Sequence, residues 1–188
     1  MYIMFSSYER LQKRSGKKGV DRFQYLKELI EEFSTTESSD AKEQVLANLA
    51  NFSYDPINYQ WLRRLKVIDI FLHQLSEGTL PLRRFAAAGI CNLCLDFENK
   101  SYILQNGGVQ LLTECLVSED ESLVLSSITS LMFLVTPQSK SEITSDKVVK
   151  LISVKAEGNN PRITNLAKIF LSDYHYPVKE GDPTKTEI

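Results

Sequence analysis

Phe23, Leu26, Ile30 and Phe33 lie three or four residues apart, which lines them along one face of an α-helix, and Asp21 precedes them as an N-cap. The same spacing returns at Val45, Leu49 and Phe52, after a polar run at 34–39 and a capping box formed by Asp40 and Glu43. Asp55 and Pro56 stop that helix, and residues 58–65 and 67–75 read as a short helix and a longer one. Pro81, a favoured first-turn residue, opens a helix through Ala86, Ile90 and Leu93 that turns at Asp96. Residues 100–105 and 109–116 follow, and Gly107 and Gly108 between them are expected to supply positive-φ corner conformations. A third set starts near Glu121, passes Leu131 and Leu134, breaks at Pro137 and resumes over 147–155. Residues 161–174 then place Ile163, Ala167, Phe170 and Leu171 on one face as a closing helix.

These helices are not independent. Asn51, Asp55, Asn58, Leu62 and Leu75 recur as Asn92, Asp96, Asn99, Ile103 and Leu116, each 41 residues later, and Ile90 and Leu93 recur as Leu131 and Leu134. A period of that length marks a helical solenoid, whose repeats cannot bury their apolar faces alone and must stack. The expected organisation is a flexible basic arm over 1–20, a repeat domain over 21–174 and a disordered tail over 175–188. The arm carries Arg10, Lys13, Arg14, Lys17 and Lys18 and reads as a localisation or nucleic-acid segment, or simply as a solvated terminus.

The order of short helix, Gly-Gly corner, helix and final helix ending in Asn-Leu resembles the armadillo-repeat family. The runs DAKEQVLANLANFSYDPINY at 40–59, ICNLC at 90–94 and NLAKIFL at 165–171 carry the likeness. The resemblance implies an all-α, right-handed armadillo-type solenoid of about three repeats with helical caps. It also implies a nuclear, non-catalytic scaffold of the minor, U12-type spliceosome. There it would bind and stabilise an RNA-recognition-motif protein, RNA-binding motif protein 48, alongside other spliceosomal proteins, with RNA contact indirect or local. The alternative is an adaptor that holds an extended peptide of a cargo or signalling protein in its concave groove.

In that family the third helix of each repeat lines the concave face, and here those helices begin near Asp40, Pro81, Glu121 and Pro161. With Val45, Leu49 and Phe52 inward, helical periodicity turns Gln44, Asn48 and Asn51 outward. Steps of 41 residues give Phe85, Gly89 and Asn92, then Ser126, Ser130 and Phe133. Amides suit pairing with an extended backbone, and Phe85 and Phe133 either anchor apolar side chains or pack between repeats. Import-type armadillo grooves pair such an Asn with a Trp one turn earlier. Ala47 and Ala88 stand there instead, and the single Trp61 belongs to another helix. Arg83, Arg84, Lys42 and Arg162 are candidates for an acidic segment or a phosphate, against the reading of ordinary surface charge.

Composition narrows the chemistry. A formal net charge of −2 excludes a surface that grips phosphates over its whole extent. The three cysteines suit a reducing compartment, and neither a secretory leader nor a transmembrane segment is expected. Cys91 and Cys94 form a CxxC, but Cys115, His73 and His175 offer no second pair at zinc-ligand spacing. No nucleophile–base motif or phosphate-binding glycine loop is present, so neither catalysis nor a cofactor is expected.

Overall fold

The computed structural model describes Glu9 and residues 21–175, and every regular element over 21–175 is helical. The expected basic arm and tail lie outside the described residues, apart from Glu9 and His175.

Helix α1 (Arg22–Thr35) follows Asp21, whose side chain makes no capping bond. It runs on into the expected loop until the hydroxyls of Ser34 and Thr35 donate back to the carbonyls of Ile30 and Glu31. Helix α2 (Ser39–Phe52) is capped by Ser38 rather than Asp40, its hydroxyl accepting from the Ala41 N–H at 3.3 Å. Asp40 sits in the first turn, where its charge complements the helix dipole. A 3₁₀ turn (Pro56–Asn58) leads into α3 (Tyr59–Arg64), α4 (Val67–Glu77) and α5 (Leu80–Leu93). The next set is α6 (Phe97–Gln105), α7 (Gly108–Cys115) and α8 (Glu121–Phe133). The last is α9 (Lys140–Ile143), α10 (Asp146–Ala156) and α11 (Pro161–Tyr174).

Helices α2, α5, α8 and α11 pack one on the next as a single layer. Behind them α4 packs on α5, α7 on α8 and α10 on α11. One core runs the length of the stack, with Leu49, Leu62, Phe71, Ile90, Ile103, Leu112, Leu131, Ile152 and Phe170 all fully buried. At the first end α1 lies on α2 and buries Leu26, while Ile30 and Phe33 are only partly covered. At the other end Ile163, Ala167, Phe170 and Leu171 are buried on the inner face of α11.

The corner before each second helix shows how two sequences solve one problem. Gly107 has φ 74°, in the left-handed region, and Lys66, 41 residues earlier, adopts φ 56° at the equivalent corner. Gly108 plays a different part from the one expected. A Cβ there would lie 2.3 Å from the Ile103 side chain, so its small size, not a positive φ, is what the corner uses.

Close approach also explains Gly89, in the middle of α5. A Cβ there would stand 2.4 Å from the ring of Phe71, which is fully buried on α4. Gly89→Ala should therefore lower stability by about 1–3 kcal/mol, since overpacking outweighs the roughly 1 kcal/mol that alanine gains in helix propensity. A shift of the urea unfolding midpoint to lower concentration checks this.

Candidate partner-binding surfaces

Each helix of the concave layer ends with main-chain carbonyls that have no helical partner. After α2 and α8 a side chain from the following turn takes one of them. Asn58 Nδ2 donates to Phe52 O at 2.8 Å, and Ser139 Oγ donates to Leu134 O at 2.7 Å. Across the first repeat boundary, Asn92 Nδ2 donates to Ala50 O at 3.1 Å and Tyr59 Oη donates to Asn92 O at 3.0 Å. Arg63 completes this seam. Its Nη1 lies 2.6 Å from Asp96 Oδ1 and 2.9 Å from Asn99 Oδ1, and its Nε reaches Glu98 at 3.1 Å. Asp96 in turn caps α6 by accepting from the Asn99 N–H at 3.0 Å. Arg63 was not singled out from the sequence. Its partners Asp96 and Asn99 belong to the repeating phrase, and that was the available signal.

The expected groove residues divide. Gln44 and Asn51 are exposed and Asn48 is half-buried, with Gln44 Nε2 donating to Asn48 Oδ1 at 3.3 Å. Phe133 is 38% exposed, whereas Phe85 is half-buried against the core. Asn92 is turned to the seam described above rather than displayed. Ser126 is half-buried, while Ser130 is fully buried with its hydroxyl donating to Ser126 O at 2.7 Å, so its expected outward position is corrected; Gly89 is buried too. The reason is positional. Helix α2 has no preceding member of its layer, so the flank carrying Asn48 stays open. On α8 the corresponding flank meets α5, where Ser130 faces Cys91 and Cys94. Further along, Arg84 on α5 and Phe133 on α8 are exposed.

No family model matches the chain. Over 160 residues, 84% of this chain and 81% of the relative, it is 52% identical to armadillo repeat-containing protein 7 of Mus musculus. The chain belongs to that armadillo-repeat family. Solved structures agree on the fold. A designed armadillo repeat protein in complex with the peptide (KR)4 superposes with a TM-score of 0.72 at 13% identity, over 80% of this chain and 64% of that one. A computationally designed armadillo repeat protein for modular peptide recognition gives 0.70 at 13% identity, over 89% and 76%. The architecture is thus the armadillo-type right-handed α-solenoid, its last third helix, α11, closing the stack.

The expected basic residues of this armadillo chain are largely committed to its own fold. Arg84 Nε donates to Asp120 Oδ2 at 2.7 Å, and Arg162 pairs with Glu121, which also accepts from Asn160 Nδ2 at 2.7 Å. Arg83 Nη2 lies 3.5 Å from Cys115 Sγ, and its Nε is buried without a partner; Lys42 is half-buried. Lys155 Nζ donates to Ser118 O at 2.8 Å. These contacts staple one repeat to the next along the edge opposite the Arg63 seam.

The cysteines behave as small apolar side chains. Cys94 and Cys115 are buried, Cys91 is half-buried, and burial pushes the thiols of Cys91 and Cys94 up from their usual range, Cys94 the further. Among the described residues no His, Cys, Asp or Glu group is arranged to hold a metal, and no helix is long and apolar enough to cross a membrane.

At Asp120 burial alone would raise the carboxyl pKa. Hydrogen bonds from Arg84 and from the Leu123 and Ser122 N–H groups, with the Arg84 charge, outweigh it and hold the group below its ordinary value. A depressed carboxylate adds stability above its unfolded pKa, near 4, and loses that contribution as pH falls through its folded value. Asp120→Asn should therefore be less stable than the wild type by up to about 1 kcal/mol at neutral pH. The gap should close as the pH falls below about 4, measured by urea unfolding at several pH values.

Proposed function

We propose that this chain is a non-catalytic scaffold of the minor, U12-type spliceosome, where it binds and stabilises an RNA-recognition-motif partner, RNA-binding motif protein 48. The supporting observation is the kinship with armadillo repeat-containing protein 7, combined with a rigid stack whose polar side chains are spent on joining repeats. The proposed setting is the nucleus. Contact with RNA falls mainly to the partner, in keeping with a formal net charge of −2 and with Arg63, Arg84 and Arg162 each held by a carboxylate.

A second reading keeps the concave face as a site for an extended peptide of a cargo or signalling protein. Its support is Asn51, exposed on α2 and making no side-chain hydrogen bond among the described residues, together with the peptide-recognition setting of the designed neighbours.

The two separate experimentally. Full-length tagged chain recovered from nuclear extract should bring down the RNA-recognition-motif protein and a minor-spliceosome small nuclear RNA, and Asn51→Ala should leave that recovery unchanged. Absence of both from the wild-type eluate refutes the spliceosomal reading, and loss of the protein on Asn51→Ala transfers recognition to the concave face.

A further inference from the structure

Over 21–175 no helix precedes α2 in its layer, so the first end of the stack lacks a neighbour. Ala41, Asn48 and Phe52 lie along one face of α2 and are half-buried, whereas the residues one and two repeats on are buried without exception. A preceding layer helix supplies that cover, as α5 does for α8 where Ser130 meets Cys91 and Cys94. On α1, Tyr25, Glu28, Leu29 and Glu32 fall three or four residues apart and share a face. Tyr25 is 40% exposed and meets the Phe52 ring edge-on at 5.8 Å, which joins the two faces into one strip. Leu29 is half-buried within it, and Glu28 and Glu32 are exposed at its side.

The residues that precede α1 match this strip in pattern, charge and reach. In the sequence Met4, Tyr8 and Leu11 fall at helical spacing, as do Met1, Phe5 and Tyr8, which gives 1–15 one apolar side. Glu9 lies off that side, and it is helical and exposed. Residues 1–20 hold five cations and one carboxylate, while 21–43 hold seven carboxylates and three cations, so the two segments attract. The strip also begins where the arm joins the fold, since the Arg22 guanidinium stands 5.0 Å over the Phe52 ring. Residues 16–20, with Gly16 and Gly19, span at most about 17 Å and permit a reversal. A helix over 1–15 is about 22 Å long, within one residue of the length of α2. A tether this short sets an effective concentration of roughly millimolar, an advantage that no separate chain shares.

We propose that residues 1–15 fold back as a helix and lay Met4, Tyr8 and Leu11 on Tyr25, Leu29 and Phe52, closing the first end of the stack in cis. The arm then stands where a preceding repeat would, and the face on which a second copy could stack end to end is occupied. This goes beyond the spliceosomal reading and does not rest on it. It also gives the basic arm a place on the fold, in contrast to the free segment expected from its composition.

Limited trypsin digestion of the full chain reads the docking, because Lys13 and Arg14 are cleaved through the released arm. Tyr8→Ser combined with Leu11→Ser should speed that cleavage about tenfold or more, a change worth about 1.4 kcal/mol. Glu28→Gln combined with Glu32→Gln should speed it by a smaller factor, and the increment should vanish at high salt. Position is read by a nitroxide on Ser6→Cys, off the apolar side, in a ¹⁵N-labelled full chain carrying Cys91→Ala. It should broaden the amide signals of Tyr25, Leu29 and Asn48 and leave those of Ile163 and Phe170 at the far end sharp. Equal cleavage of the wild type and the Tyr8→Ser/Leu11→Ser variant would overturn the proposal, as would sharp signals at Tyr25 and Leu29. So would broadening at those residues when the nitroxide sits on an unlabelled chain mixed with a ¹⁵N-labelled one, which assigns the face to a second copy.

Discussion

A stack of helices that reverses direction every dozen residues must satisfy the carbonyls left at each helix end while keeping the reversal tight. In this chain that requirement falls at the end of every concave-layer helix, and it fixes how the repeats meet. Phe52 and Leu134 have their carbonyls taken by Asn58 and Ser139 from the turn that follows. The carbonyl of Ala50 is taken by Asn92, from the next repeat. Arg63 then reaches forward to Asp96 and Asn99. A buried polar group left alone costs about 1–3 kcal/mol, so the first two repeats cannot slide past one another without losing the Asn92 and Arg63 bonds together. The apolar core supplies the attraction, and the seam supplies the register.

That division explains which parts were legible in the sequence. The 41-residue phrase of Asn, Asp and Asn is the seam written in residues, so the repeat length and the helix order could be read directly. The helix ends were less legible, since Ser38 and Asp40 are both good N-caps and only the path of the chain decides between them. Lys66 gave no sign that it would adopt the conformation Gly107 adopts. The groove was the least legible. Carrying Asn48 forward by 41 residues lands on Gly89 and Ser130, and both are buried, because α2 at the end of the stack lacks the neighbour that α5 and α8 possess. Periodicity predicts identity of position, not identity of surroundings, wherever an array begins.

The same geometry bears on function. Asn92, one of the residues the sequence places on the concave face, spends its amide on Ala50, and Arg84 and Arg162 spend their guanidinium groups on Asp120 and Glu121. The side chains are thus turned toward rigidity along both edges. A rigid stack of this kind is consistent with the scaffold role proposed above.

The register-setting seam is tested most directly by a double-mutant cycle between Arg63 and Asn99, with Arg63→Met, Asn99→Leu and the double variant compared by urea unfolding. If the pair locks the first repeat to the second, the single changes will be coupled by about 1 kcal/mol or more, and the double variant will be less destabilised than their sum. Additivity within about 0.3–0.5 kcal/mol would contradict this, leaving apolar packing alone to set how the repeats align.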